Sequence, residues 1–282
     1  MKLMQNLNTL LQYGLPGHLI SRALGGLAFC ENPKVKNFLI QHFIHRFEIQ
    51  MDEVAEPSLD AYTHFNAFFT RALKEGIRPL AGYGHIASPA DGTVFGVGNL
   101  SHDVRLAAKG HQFSLTELFG QPDYEKIYQD GHYLTIYLSP KDYHRVHCPM
   151  DGELKHMVHV PGRLFSVNDS TTTSIPAVFA RNERVIMHFK GKNGPFSVVL
   201  VGAMLVASIE TPFSGIVTPP GRGITEWSFH RGTHHKFIQG DEIGRFQYGS
   251  TVIILTPKSK KGFSPDILDG YPVKMGQSLG QI

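Results

Sequence analysis

Two histidines three positions apart, His144 and His147, stand in the segment Ser139-Pro140-Lys141-Asp142-Tyr143-His144-Arg145-Val146-His147-Cys148-Pro149. Imidazole is the side chain whose ordinary pKa lets it take and return protons near neutrality. Ser139 as N-cap, Pro140 at the first helical position and Asp142 in the first turn predict a short helix, stopped by Pro149. On such a helix His144 and His147 share a face, either as a working pair or as two core histidines. A metal is the competing use, since His156 with His159 and His234 with His235 could add imidazole ligands. No His-Glu-x-x-His run occurs and no acidic residue completes a facial triad, so no metal site is expected. The candidate nucleophile lies further on, where Gly249-Ser250 precedes the β-branched run Thr251-Val252-Ile253-Ile254-Leu255. Taken alone, a Gly-Ser pair there is a turn, and Tyr248 and Val252 occupy the places where a Gly-x-Ser-x-Gly elbow needs glycine. Asp91, in Pro89-Ala90-Asp91-Gly92, taken alone is an Asx-turn residue.

The elements that must carry these residues follow from patterning. The 282 residues are 41% apolar and 18% charged, enough for one or two domains with a real core. A formal charge of +3 is too small for a dedicated nucleic-acid binder, so no nucleic-acid partner is expected. With only Cys30 and Cys148 there is no disulfide framework, which suits a reducing compartment. Leu3, Leu7, Leu10 and Leu11, then Phe38, Leu39, Phe43 and Ile44, repeat at helical spacing, and a further helix is predicted over Tyr62 to Leu73. The first of these runs is amphipathic and sparsely charged, so it either packs on the core or lies in a lipid interface. Polar residues, Gly14 and Pro16 interrupt it too often for a spanning helix or a secretory signal. Val198 to Ile209 is too short to span and is expected to be buried strand.

From about residue 85 onward, short apolar runs are separated by Gly and Pro, the mark of a sheet or barrel. Pro89-Ala-Asp91-Gly92-Thr-Val94, Pro149-Met-Asp151-Gly152-Glu-Leu154 and Pro212-Phe-Ser214-Gly215-Ile-Val217 share the form P-x-[DS]-G-x-[VL]. They recur about sixty residues apart and predict three equivalent turns, each leading into a strand. The expected fold is α+β: amphipathic N-terminal helices over residues 1–75, then a sandwich-like or barrel-like catalytic domain over residues 76–282.

An ordered set of motifs goes further. Phe68-Phe69-Thr70-Arg71-Ala-Leu73 with Arg78-Pro79, Ser88-Pro89-Ala90-Asp91-Gly92, and Tyr143-His144-Arg145-Val146-His147 are followed by Ile175-Pro176 and Phe179-Ala180-Arg181-Asn182-Glu183-Arg184. Val201-Gly202-Ala203, Gly244-Arg245-Phe246 and Gly249-Ser250-Thr251 complete it. Together they resemble the pyruvoyl-dependent phosphatidylserine decarboxylases of prokaryotic type. The family usually has Leu before Gly-Ser-Thr, where this chain has Tyr248, a change bearing on cleavage rate more than on cleavage. Residues after about Thr256 match no motif of the set.

The resemblance implies that the chain cuts itself between Gly249 and Ser250, giving a β chain (1–249) and an α chain (250–282) whose first residue becomes a covalent pyruvoyl cofactor. Asp91, His147 and Ser250 would form the self-processing triad, with Ser250 as nucleophile, His147 as base and Asp91 holding the imidazole. The substrate amine would then form a Schiff base with the pyruvoyl group. His144 would handle substrate and protonate the carbanion left by CO₂. The implied reaction converts phosphatidylserine to phosphatidylethanolamine, with phosphatidylserine and membrane lipid as partners and a homodimer as the assembly. Attachment would be peripheral, at the cytoplasmic face of the cell membrane, with Leu3, Leu7, Leu10, Leu11, Leu19 and Ile20 inserting and Arg22, Lys34 and Lys36 meeting anionic headgroups. The alternatives are a soluble amino-acid decarboxylase with the same cofactor, a non-enzymatic binding module and a metal hydrolase.

Overall fold

The computed structural model describes residues 25–281 apart from 101–104, 123, 204–207, 219–222, 230–234 and 248–249. The run Leu3–Leu11, with Leu19, Ile20 and Arg22, lies outside the described residues, as do Tyr248 and Gly249. Helix α1 (Pro33–Phe47) begins where Asn32 caps it, its Oδ1 accepting from the Lys34 and Val35 amides. Its apolar face, Ile40 and Phe43, packs on Ile49, Tyr62, Phe65, Phe68 and Phe69, a small core of its own in which Phe43 meets three phenylalanine rings edge-on. Lys36, expected to meet anionic headgroups, is instead buried among this group, its ammonium donating to the Leu59 and Tyr62 carbonyls.

The helix predicted over 62–73 is much shorter than its pattern. Only α2 (Phe65–Phe69) is helical, capped by His64 Nδ1 accepting from the Ala67 amide. Thr70 Oγ1 bonds back to the Asn66 carbonyl, and the chain then leaves the helix so that Leu73 can bridge to Val54. A tertiary pairing has overridden the local periodicity.

The strands are β1 (His85–Ala87), β2 (Gly92–Asn99), β3 (Arg105–Ala108), β4 (His111–Ser114), β5 (His132–Leu138), β6 (Arg145–His147), β7 (Gly152–Val160), β8 (Arg184–Gly191) and β9 (Gly194–Gly202). They continue with β10 (Ile209–Thr211), β11 (Gly215–Ile216), β12 (Thr225–Ser228), β13 (Lys236–Phe237), β14 (Glu242–Phe246), β15 (Ser250–Thr256), β16 (Pro272–Val273) and β17 (Ser278–Gln281). Nine form one sheet in the order β12-β7-β8-β9-β15-β5-β2-β16, with β13 also on β7. A second sheet runs β11-β10-β14-β6, and β1-β17 and β3-β4 are two-stranded. All described pairings between strands are antiparallel.

The fold is therefore strand-rich and mixed, as expected, but among the described residues the large sheet stays open and no barrel closes. Gly92, Gly152 and Gly215 each open a strand, so the three spaced motifs are three turns into strands. Val198–Gly202 is buried strand within β9, and no described helix is long and apolar enough to cross a membrane. Apolar side chains on the two faces of the large sheet fall into separate cores, Leu200 and Val252 in one and Val201 and Ile253 in the other. That alternation is what a strand covered on both faces produces.

Candidate active site

Ser250 is the first residue of β15, in register with Leu138 of β5 on one side and Gly202 of β9 on the other. A β-branched run flanked by two partners makes this one of the most enclosed strands, with every residue buried. The Ser250 hydroxyl is fully buried and has no hydrogen-bond partner among the described residues. A buried hydroxyl left unpaired costs about 1–3 kcal/mol. Thr135 of β5 and Thr251 of β15 hold others, so the unpaired group marks Ser250 only together with the Gly249-Ser250-Thr251 motif it stands in.

Beyond Leu138 the chain does not form the helix predicted from Ser139. The Ser139 amide and hydroxyl both donate to Asp142 Oδ2, at 2.7 and 2.6 Å, closing a single turn. The Phe246 amide then captures the His144 carbonyl at 3.0 Å, and Arg145 enters β6 opposite Arg245 of β14. Strand pairing wins over the helix start, and the two histidines are positioned by different means.

His144 is completely buried with its ring stacked on Phe69, the centroids 4.1 Å apart. Neither ring nitrogen completes a hydrogen bond among the described residues. Burial, reinforced by the Arg71 charge, pushes its pKa down to about 3 against the pull of the Pro140 and Ser139 carbonyls, so the ring is neutral at physiological pH.

His147 ends β6. Its Nδ1 lies 2.7 Å from the Gly240 carbonyl and its Nε2 3.1 Å from the Tyr143 hydroxyl. A carbonyl only accepts, so the proton sits on Nδ1 and the lone pair on Nε2, where the Tyr143 hydroxyl donates. Burial lowers the His147 pKa, favouring this neutral tautomer.

Asp91 sits in the turn before β2, and its carboxylate is buried in a cage of donors. Arg78 Nε meets Oδ1 at 3.1 Å and Nη2 meets Oδ2 at 2.6 Å, a forked pair. The Met275 amide donates to Oδ1 at 2.7 Å and Lys274 Nζ approaches Oδ2 at 3.3 Å. Burial alone would raise this pKa, but Arg78, the Met275 amide and Lys274 outweigh it and hold Asp91 below the usual carboxylate range. Arg78 Nη2 also pairs with Glu53 at 2.6 Å, tying the α-helical region to the turn. The His147 amide donates to the Pro89 carbonyl, two residues before Asp91, and the Asp91 charge favours a proton on either histidine.

The structure thus brings both His144 and His147 within electrostatic reach of Asp91, and the β15 register sets Ser250 beside Leu138, where the turn leading to the two histidines begins. No hydrogen bond joins Asp91 to His147 among the described residues: Arg78, Lys274 and Met275 hold the carboxylate, and Gly240 holds the imidazole Nδ1. Asp91 is also not a plain Asx-turn residue, because its side chain faces this cage. Sequence reasoning missed the work of Arg78, Tyr143, Gly240 and the tail. Arg78-Pro79 and Tyr143 carried a signal as motif members, whereas Lys274 and Met275 carried none. Among the described residues no three His, Cys, Asp or Glu side chains are grouped to hold a metal; His234 lies outside them.

A family model described as phosphatidylserine decarboxylase matches residues 65–281, and one described as PSD matches residues 7–48. The chain belongs to the phosphatidylserine decarboxylase family. It is 47% identical over 274 residues to the phosphatidylserine decarboxylase proenzyme of Azotobacter vinelandii, covering 96% of each chain. It is 48% identical over 281 residues to the protein of that name from Ectopseudomonas mendocina, covering 98% of each. The Pseudomonas aeruginosa protein of that name is 46% identical over 272 residues, 95% of this chain and 94% of its own. The family match takes in the tail after Thr256 that sequence motifs left unassigned, the part that supplies Lys274 and Met275 to Asp91.

Proposed function

We propose that the protein is made as a proenzyme, cuts itself between Gly249 and Ser250, and decarboxylates phosphatidylserine to phosphatidylethanolamine with a pyruvoyl group formed from Ser250. The observation that carries this reading is the unpartnered, fully buried Ser250 hydroxyl at the head of a central strand, in a member of a family whose relatives are named as proenzymes. In the processing step Ser250 Oγ adds to the Gly249 carbonyl carbon and the C–N bond breaks, giving an ester and a free amine. His147 Nε2, whose lone pair accepts from the Tyr143 hydroxyl in this structure, receives the Ser250 proton once the tyrosine hydroxyl turns away. Asp91 steadies the charge that forms on His147 through space. Loss of the residue-250 α-proton expels the Gly249 carboxylate, and hydrolysis releases ammonia, leaving the α-ketoacyl group.

The surroundings of position 250 fit such a group: the strand neighbours Leu138 and Gly202 fix its backbone, and the buried hydroxyl is free of any partner among the described residues. When formed, the pyruvoyl carbonyl supplies the electron sink that standard side chains lack. His144, neutral and clamped on Phe69, orients substrate and returns the proton to the α-carbon. We further propose that residues 1–75 form the membrane-associating region and 76–282 the catalytic one. The assembly is a homodimer attached peripherally to the cytoplasmic face of the membrane.

Intact-mass measurement of purified protein tests the core of this. The expected result is two chains divided at 249/250, the smaller with a blocked N-terminus, decarboxylating phosphatidylserine in vesicles and forming a borohydride-trapped adduct on the smaller chain. An uncut chain that decarboxylates the lipid at full rate overturns it.

A further inference from the structure

Among the described residues Arg71 is a buried charge whose hydrogen-bonding capacity is only partly met, its guanidinium lying 5.4 Å over the Phe68 ring. Arg71 is 4% exposed and forms no ion pair among the described residues. Its Nη2 donates to the Lys141 carbonyl at 3.1 Å and its Nη1 makes a long bond to the Phe69 carbonyl at 3.4 Å, while Nε has no partner. Arg184, equally buried, shows what a satisfied structural arginine looks like here: Nε, Nη1 and Nη2 each donate to a carbonyl, at 2.5, 2.8 and 2.7 Å. A buried guanidinium is costly unless its donors and charge are met, so Arg71 is built for something that arrives.

The space it faces is a polar cavity of about 210 Å³, also lined by Lys141, Tyr143, Arg78, Lys274 and Asp142. The anions of this cavity are largely committed. Asp91 and Glu53 are engaged by Arg78, and Asp91 by Lys274 as well. Asp142 accepts twice from Ser139, and burial pushes its carboxyl up, toward its neutral form. Arg71 and Lys141 are therefore the lining cations with no ion pair among the described residues, set against one exposed carboxylate, Glu48. We propose that this cavity binds the phosphodiester of the substrate headgroup, with Arg71 as its main ligand and Lys141 as a second positive group.

The inference rests on the decarboxylase reading and deepens it. Of the two anions on a serine phospholipid, the carboxylate loses its charge in the reaction, and a cation gripping it would stabilise the ground state and slow the step. The phosphodiester keeps its charge throughout, so binding energy placed there positions the amine without that penalty. Guanidinium is also the side chain best matched to phosphate oxygens. The place is suitable, since Lys141 lies three residues beyond Leu138, the strand partner of Ser250.

The test uses the uncut Ser250→Ala protein, so that binding is read apart from processing and turnover. Glycerophosphoethanolamine, inorganic phosphate and acetate are titrated by calorimetry, and the Arg71 Nε–H resonance, assigned by its loss in an added Arg71→Lys, is followed by NMR. The phosphodiester should shift that resonance and bind about 10- to 100-fold more weakly once Arg71→Gln is added, the loss expected for one charged hydrogen-bonding partner. Lys141→Gln should cause a smaller loss. In otherwise wild-type enzyme, Arg71→Lys should raise KM for phosphatidylserine with the extent of chain cleavage unchanged.

An unmoved Nε–H resonance at saturating ligand, or equal binding with and without the guanidinium, overturns the proposal. Inorganic phosphate binding as tightly as the diester would make this a free-phosphate site instead of a headgroup site, and acetate competing equally would remove the phosphate preference. If Arg71→Gln does not fold, the resonance shift and Lys141→Gln decide the matter. A protein that binds the diester yet never cleaves sinks the decarboxylase reading, whereas a cleaved, active Arg71→Lys enzyme with unchanged KM sinks this one.

Discussion

Ser197 and Ser250 are both buried in the large sheet, and their surroundings among the described residues are built to opposite specifications. Around Ser197, in β9, the hydroxyl meets Tyr128 Oη at 2.5 Å and His188 Nδ1 at 2.7 Å, and the His188 ring is stacked on Tyr124 at 3.8 Å. The Ser250 hydroxyl, in β15, has no partner among the described residues, and His144, six residues beyond the Ser250 strand partner Leu138, is stacked on Phe69 with neither nitrogen completing a hydrogen bond. Burial pushes both His144 and His188 down to about 3, and each is clamped by an aromatic ring. The two serines therefore differ in satisfaction of the hydroxyl, not in burial.

The largest effects should come from trying to exchange the two roles. Ser250→Ala should abolish chain cleavage and all decarboxylation while leaving the protein folded, seen as one uncut mass. Ser197→Ala should leave both intact and cost about 1–3 kcal/mol of stability, because the Tyr128 hydroxyl and His188 Nδ1 lose a buried partner. Full cleavage in Ser250→Ala, or loss of cleavage in a folded Ser197→Ala, would erase the distinction.

Next in size is the Asp91 cage, which has no counterpart near Ser197. Arg78→Ala leaves a buried carboxylate short of its main partner and should cost about 3–5 kcal/mol in chemical denaturation at neutral pH. Because the folded pKa of Asp91 is depressed, its contribution is present above the unfolded carboxylate pKa and is lost as pH falls through the folded value. Arg78→Ala should weaken that acid dependence and slow chain cleavage. An unchanged pH–stability curve would show that Arg78 does not hold the Asp91 charge.

The histidines set a second pH window. His144 and His188 are neutral in the folded protein and protonate near 6.5 once unfolded, so the unfolded state binds more protons below that pH. Stability should fall from about pH 6.5 toward 3 with a slope of about 1.4 kcal/mol per pH unit for each histidine. His188→Gln should flatten the slope with cleavage retained, and His144→Gln should flatten it equally with decarboxylation lost. The smallest effect belongs to Tyr143→Phe, which removes the donor on His147 Nε2 and should cost about 1 kcal/mol while changing the rate of cleavage but not its position. An unchanged cleavage rate would contradict the assigned tautomer.

Much of the fold was legible because it depends on local pattern. The β-branched run after Ser250, the buried stretch from Val198 and the three turn motifs before Gly92, Gly152 and Gly215 all form strands where periodicity and turn chemistry put them. Where long-range pairing competed with local preference, pattern reading failed. The helix from Ser139 gave way to the β6–β14 pairing, and the helix over 62–73 was cut short by the Val54–Leu73 bridge. The open sheet also follows from edges that strand patterning does not specify.

The sequence by itself determined the candidate residues: the two histidines in one short segment were legible from their chemistry, whereas Ser250 and Asp91, turn residues when taken alone, became candidates only through the ordered set of motifs. Only the tertiary structure decided how they are held. Asp91 is bound by Arg78, Lys274 and Met275, the last two 183 and 184 residues away in the chain. His147 takes its tautomer from a carbonyl 93 residues away. The physical reason is that charge, tautomer and solvation are set by whatever donors and carbonyls folding brings within about 3 Å, and that company is a property of the packed chain, not of any local stretch of it.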